Sequence, residues 1–265
     1  MSPTHKTLET SAHDEAFLNT RFEAARQLYN ACLSEAKRRL ELLHQSKEFQ
    51  SARKIPKTVK GKERTEAFKK LNSTFSFSEY DLHAYATKIR NSWIGNHLDS
   101  TTAQKIATRA FKAVQRIAFR QAKRVRFKGK KQFKSVEGKT NKTGIRYIEE
   151  TGHVEWKGLR LKCIIDVNDE VVIHGLSHRV KYCRIIKRIF NVLSVLQPIP
   201  KVMQNGQKNG KVRFFVQLVL EGKPFIKEKN KASDKVVGID IGPSTIAYVA
   251  DENAFLERFC DVLLI

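Results

Sequence analysis

The run Val236–Ala250 holds one carboxylate, Asp240, inside an apolar stretch that ends in the turn Gly242-Pro243-Ser244. A carboxylate taken into an apolar strand costs several kcal/mol unless a cation or several donors compensate it. In a basic chain the simplest compensating partner is a catalytic metal ion, so Asp240 is the candidate catalytic and metal-ligating residue. A second pattern concerns cations. Lys105, Arg109, Lys112, Arg116, Arg120 and Lys123 recur at three- and four-residue steps, one side of an α-helix, while Ile106, Ala110, Val114, Ile117 and Ala118 take the opposite side. The stripe continues through Arg124, Arg126, Lys128, Lys130 and Lys131, and residues 100–136 contain twelve basic residues and no acidic one. A face kept only for solubility mixes signs to gain i,i+4 pairs, so this one points to phosphate contact. Phe127 and Phe133 are each open to two roles, against a base or sugar, or in the core.

Composition supports a polyanionic partner. The 265 residues include 50 Lys and Arg against 27 Asp and Glu, a formal net charge of +23, and 41% are hydrophobic, enough for a packed core. No apolar run approaches the roughly 18 residues of a membrane span, and the polar start MSPTHKTLETSAHDE has no signal-peptide core, so a cytoplasmic protein is expected. Cys32, Cys163, Cys183 and Cys260 are widely spaced with no C-x-x-C pair, which predicts buried thiols and neither a zinc site nor a disulfide framework. His83 and His97 have no partner at ligand spacing, and His174 and His178, which flank Gly175, are expected to be structural or to face nucleic acid rather than to ligate a metal.

The elements that must position these residues follow from periodicity. Apolar residues at helical spacing predict a long helix from Asp14 to about Gln50, and a solvated connection over 52–70 with a short helix near Thr65–Leu71. A second main helix is expected from the capping pattern Ser76–Glu79, and the cationic helix over about Thr102–Arg124. Beyond Thr143 the period becomes two. Strands are predicted at 144–149 and 153–156 as a hairpin, then at Arg160–Ile165, Val171–His174, Tyr182–Phe190 and Val212–Leu220, with an insertion over Asn191–Gly210. A final meander is expected at Val236–Ile241, Thr245–Ala250 and Ala254–Cys260.

The order of four segments resembles the OrfB/TnpB transposase family: the helix Phe22–Asn30, the basic run Arg126–Gly129, the strand Phe214–Leu218 and the strand Gly238–Gly242. The resemblance implies an α+β fold in which a helical recognition lobe is inserted into a small antiparallel wedge-type β-barrel, followed by the first β-meander of an RNase H-like (RuvC) domain. The implied boundaries are an arm at 1–13, the helical lobe at 14–126, the barrel at 127–226, a linker at 227–235 and the incomplete nuclease start at 236–265. Members of that family are RNA-guided DNA endonucleases, so the implied partners are guide RNA and DNA, and the implied cofactor is Mg²⁺ held in part by Asp240. Further catalytic carboxylates and a cysteine zinc ribbon, expected of the family, would follow Ile265, so this chain is expected to be a truncated copy that does not cleave alone. Two alternatives accompany this reading. One is a non-catalytic RNA- or DNA-binding protein; the other, from the similarity of Asp240–Thr245 to the first phosphate loop of actin, Hsp70 and sugar-kinase ATPases, is an ATP-using enzyme.

Overall fold

The computed structural model describes residues 4–56, 58, 60–166, 168–190, 211–226, 238–240, 245–250 and 256–261, with side chains between residues 6 and 226 apart from Lys211. The chain opens with strand β1 (Thr4–Leu8). Six helices follow it: α1 (Ala12–Gln45), α2 (Lys47–Lys54), α3 (Gly61–Thr74), α4 (Glu79–Arg90), α5 (Ile94–His97) and α6 (Ser100–Ala118). The strands β2 (Ser135–Glu137), β3 (Arg146–Ile148), β4 (His153–Trp156) and β5 (Leu159–Ile164) come next, then helix α7 (Glu170–Leu176), then β6 (Val180–Phe190) and β7 (Lys211–Leu220).

These strands form one antiparallel sheet, in the order β2-β6-β7-β1-β5-β4-β3, curled into a half-barrel. The residues expected as an N-terminal arm supply its central strand. In β1, Lys6 faces Val216 of β7 and Thr7 faces Ile164 of β5. Helices α1–α6 are therefore inserted between a central strand and the rest of the sheet. Their main apolar face, along Leu18, Phe22, Ala25, Leu28 and Cys32 of α1, is buried in the same core as the sheet. Phe22 meets Phe214 of β7 with ring centroids 5.9 Å apart, and Tyr29 meets Phe133 at 5.5 Å. The expected division at 126/127 thus falls inside one compact unit, residues 1–223.

Asn141 links β6 to the edge strand β3. Asn141 donates its backbone N–H to the Lys181 carbonyl on β6 (3.0 Å), while its carboxamide accepts from Tyr147 N (2.7 Å) and donates to Tyr147 O (2.9 Å) on β3. The carboxamide stands in for a strand residue. Tyr147 is buried, so truncation orphans one amide and one carbonyl that water cannot reach. Asn141→Ala is expected to cost about 2 kcal/mol in chemical denaturation, the penalty of unsatisfied buried groups.

Local capping corrects several predicted boundaries. The β-branched run Val171–Ile173, expected as a strand, is helical in α7, because the Asp169 carboxylate accepts from Val171 N at 3.0 Å and starts the turn. The first helix stops at Gln45, where the Ser46 hydroxyl caps α2 by accepting from Phe49 N at 3.1 Å. Ser78, not Ser76, caps α4; Ser76 has φ 50° and belongs to the preceding turn. The predicted insertion Asn191–Gly210 lies outside the described residues. No helix among the described residues is long and apolar enough to cross a membrane.

The second compact unit begins at Pro224 and contains the meander β8 (Gly238–Asp240), β9 (Thr245–Ala250) and β10 (Leu256–Asp261), with order β10-β9-β8. Its antiparallel register pairs Ile239 with Val249 and Asp240 with Tyr248.

Candidate nucleic-acid interface

The scaffold of the cationic face is set at the first turn of α6. Asp99 is the N-cap, accepting from Thr102 N at 2.8 Å and from the Thr101 and Thr102 hydroxyls at 2.6 Å each. Its second oxygen also accepts from Trp156 Nε1 on β4 at 3.1 Å, so the same carboxylate caps the helix and docks it on the sheet. Burial raises the Asp99 pKa, but the four hydrogen bonds more than offset that and hold it below the usual value. Gly144 packs against this cap at φ 77°, and a Cβ there would stand 2.7 Å from the Asp99 carboxylate, so the loop admits glycine alone. Arg21 of α1 completes the junction: it donates to the Trp156 and Lys157 carbonyls, with its guanidinium 5.0 Å from the Trp156 ring centroid. Neither Asp99 nor Arg21 belongs to the sequence-derived site, although Asp99-Ser100-Thr101-Thr102 is a legible cap.

The predicted stripe divides into two parts. Lys105 and Arg109 face the sheet. Arg109 donates to the Ser135 carbonyl at 2.7 Å and lies over the Phe133 ring at 4.9 Å; burial lowers its pKa, against the raising effect of Glu137. Lys105 lies 3.5 Å from Glu137, which also accepts two hydrogen bonds from Arg184 at 2.6 and 3.1 Å. Burial raises the Glu137 pKa, and these cations outweigh it and bring the net shift below the ordinary value. These two cations bind protein. Lys112, Arg116, Arg120, Lys123, Arg124, Arg126, Lys130 and Lys131 are exposed, and Lys128 is partly exposed. Among the described residues none of these nine makes a salt bridge, whereas the exposed face of α1 pairs Arg38 with Glu35 (2.8 Å) and Lys37 with Glu41 (3.5 Å).

The helix ends earlier than predicted, and for a definable reason. Gln121 N donates to Arg116 O (2.8 Å) and Arg120 N to Ile117 O (2.9 Å), a Schellman termination with Arg120 at φ 58°. Glycine is the usual residue at that point; a β-carbon there costs about 1 kcal/mol. From Phe119 to Lys134 the cations ride on an irregular segment anchored at two points. Asn30 and Arg26 of α1 grip the backbone of Lys128, with Lys128 N donating to Asn30 Oδ1 and both side chains donating to Lys128 O, all at 2.9 Å. Phe133 is the second anchor, buried against Tyr29.

The two roles left open for the aromatics are now separated. Phe133 is core, while Phe127 is 51% exposed among the cations. Phe119, at the C-cap of α6, is 65% exposed and was not singled out by periodicity, which places it one step past the apolar face.

No family model and no curated protein matches this sequence. The interface rests on its own geometry. Cys32, Cys163 and Cys183 are buried free thiols with pKa pushed up to about 12 by burial, which leaves them unreactive. Among the described residues no group of three or more His, Cys, Asp and Glu could hold a metal ion. The side chain of Asp240 lies outside the described residues.

Proposed function

We propose that this chain binds nucleic acid along the surface running from Lys112 through the anchored segment to Lys134. The observation that carries the reading is the run of exposed, unneutralised cations fixed at Lys128 and Phe133, with Phe119 and Phe127 exposed among them. Fixing the segment beforehand reduces the ordering cost of binding, and the aromatic faces offer stacking to unpaired bases.

Within that reading, the partner class we propose is a guide RNA with its DNA complement, in a protein of the OrfB/TnpB type. Insertion of α1–α6 between β1 and β2, and the β10-β9-β8 meander carrying Asp240 on β8, support it. A Mg²⁺ role for Asp240 rests on sequence alone, and no reaction step is derived through the metal. The function proposed for this chain is therefore binding.

The test is fluorescence anisotropy with labelled single-stranded RNA, single-stranded DNA and an RNA–DNA heteroduplex between 0.05 and 0.3 M salt. About four to eight phosphate contacts predict a log–log slope of roughly −3 to −7. Asp240→Ala is expected to leave affinity within about twofold, since the footprint lies on the cationic face. A slope near zero for all three ligands would reject the nucleic-acid reading.

A further inference from the structure

The exposed cations account for sequence-independent binding, but one lysine cannot belong to that surface. Lys187 on β6 is 9% exposed. Its ammonium donates to Asn19 Oδ1 of α1, and among the described residues it makes no salt bridge. The two carboxylates that act on it from α1 are otherwise engaged: Glu23 is held by Arg26 at 2.5 and 2.9 Å, and Glu15 accepts from the Thr10 hydroxyl at 3.2 Å. An ammonium has three donors and an amide oxygen takes one of them. A buried cation with one neutral partner is costly, and an apolar residue of similar volume would serve packing better. Its position supplies the reason for keeping it. Lys187 lines a groove of about 640 Å³ between α1 and the ends of β6 and β7, and Lys130, Lys131 and Arg26 line the same groove. Among the described residues that line it, Glu23 is the only acid, against the four cations Arg26, Lys130, Lys131 and Lys187.

We propose that this groove is a binding site for one phosphate group, with the Lys187 ammonium donating to a non-bridging oxygen from the floor and Lys130 and Lys131 closing over it from the rim. The phosphate has two possible sources, a free anion or a phosphate of the strand on the neighbouring cationic segment; the second rests on the function proposed above. A desolvated ammonium facing a tetrahedral dianion gives a charge-assisted hydrogen bond of the stronger kind. The lowered pKa of Lys187, caused first by burial and then by the Lys131 charge, is what a cation awaiting its counter-ion should show.

The experiment is a ³¹P NMR titration of inorganic phosphate against the full chain at fixed ionic strength. Saturable binding is expected in the wild type, weakened at least about tenfold in Lys187→Met, the effect of losing one hydrogen bond to a charged group. Lys130→Ser with Lys131→Ser, both on the surface and harmless to folding, should weaken it by a similar factor. Lys112→Ala with Arg116→Ala should leave it within about threefold. The source is read from a short oligonucleotide with and without a 5′-phosphate. A strand phosphate predicts competition between inorganic phosphate and the oligonucleotide, and a terminal one adds tighter binding of the phosphorylated form that is lost in Lys187→Met; a free anion predicts equal affinities and no competition. Both results support the site. Phosphate binding that is undetectable in the wild type, or equal in wild type and Lys187→Met, overturns it. Phosphate binding without any oligonucleotide binding would defeat the nucleic-acid function and leave the groove assigned.

Discussion

Neutralising Lys112, Arg116, Lys123 and Arg124 together, each to Gln, is expected to lower affinity for a single-stranded oligonucleotide by about 10²-fold at 0.1 M salt. The magnitude follows from counter-ion release. Each lost phosphate contact reduces the slope of log affinity against log salt by roughly 0.7, so four contacts remove about three units of slope. All four side chains are exposed and none makes a salt bridge among the described residues, so thermal stability should change little. The proper control is Arg109→Met. That guanidinium caps the Ser135 carbonyl and covers Phe133, so its loss should destabilise the fold by about 2 kcal/mol and leave the slope nearly intact. Reversing the two outcomes, with Arg109→Met lowering the slope and the surface variant not, would mean that the inward half of α6 is the footprint.

The contrast between those variants shows how far helical spacing could be read. The three- and four-residue steps of Lys105 to Lys123 correctly put them on one side of a helix, but a stripe is broad, and its margin at Lys105 and Arg109 turns toward β2 and the Glu137–Arg184 pair. Nothing local distinguishes Arg109 from Arg116; the difference is a strand 26 residues later whose Ser135 carbonyl needs a donor. The helix end was invisible for a related reason. Arg120 sits where glycine is expected, so no stop signal marks the Schellman turn. Strands β4 to β7 were legible because alternation and turns define them. β1 was not, because five residues beginning Thr-His-Lys carry little pattern, and their place between β7 and β5 is set by partners distant in sequence. The Val171–Ile173 run shows the converse, a strong β-propensity overridden by one capping aspartate. Lys187 was not singled out from sequence: β6 carries four cations, Lys181, Arg184, Lys187 and Arg188, and only in the structure is Lys187 the one that is buried.

Asp99→Ala is expected to be the most destabilising single change at the interface, by about 3 kcal/mol in chemical denaturation. Two losses combine. The cap of α6 disappears, typically worth about 1 kcal/mol, and the indole N–H of fully buried Trp156 is left without its acceptor, worth roughly 1–3 kcal/mol more. The same carboxylate makes this contribution depend on pH. Its folded pKa lies below the unfolded value, so the stabilisation is complete above the ordinary aspartate range near 3.9 and is lost as pH falls through the folded value. The difference in unfolding free energy between wild type and Asp99→Ala should therefore be constant from about pH 5 to 8 and shrink below about pH 4. Asp99→Asn sharpens the reading, because an amide still caps Thr102 N through its oxygen but cannot offer a second acceptor to Trp156 and the Thr102 hydroxyl. An intermediate loss with no acid-dependent component would assign the effect to the charged carboxylate. If both variants unfold with the wild-type free energy at pH 7, the α6 N-terminus does not hold the helix to the sheet, and the cationic segment beyond Ala118 would owe its position to the grip of Arg26 and Asn30 on Lys128 and to Phe133.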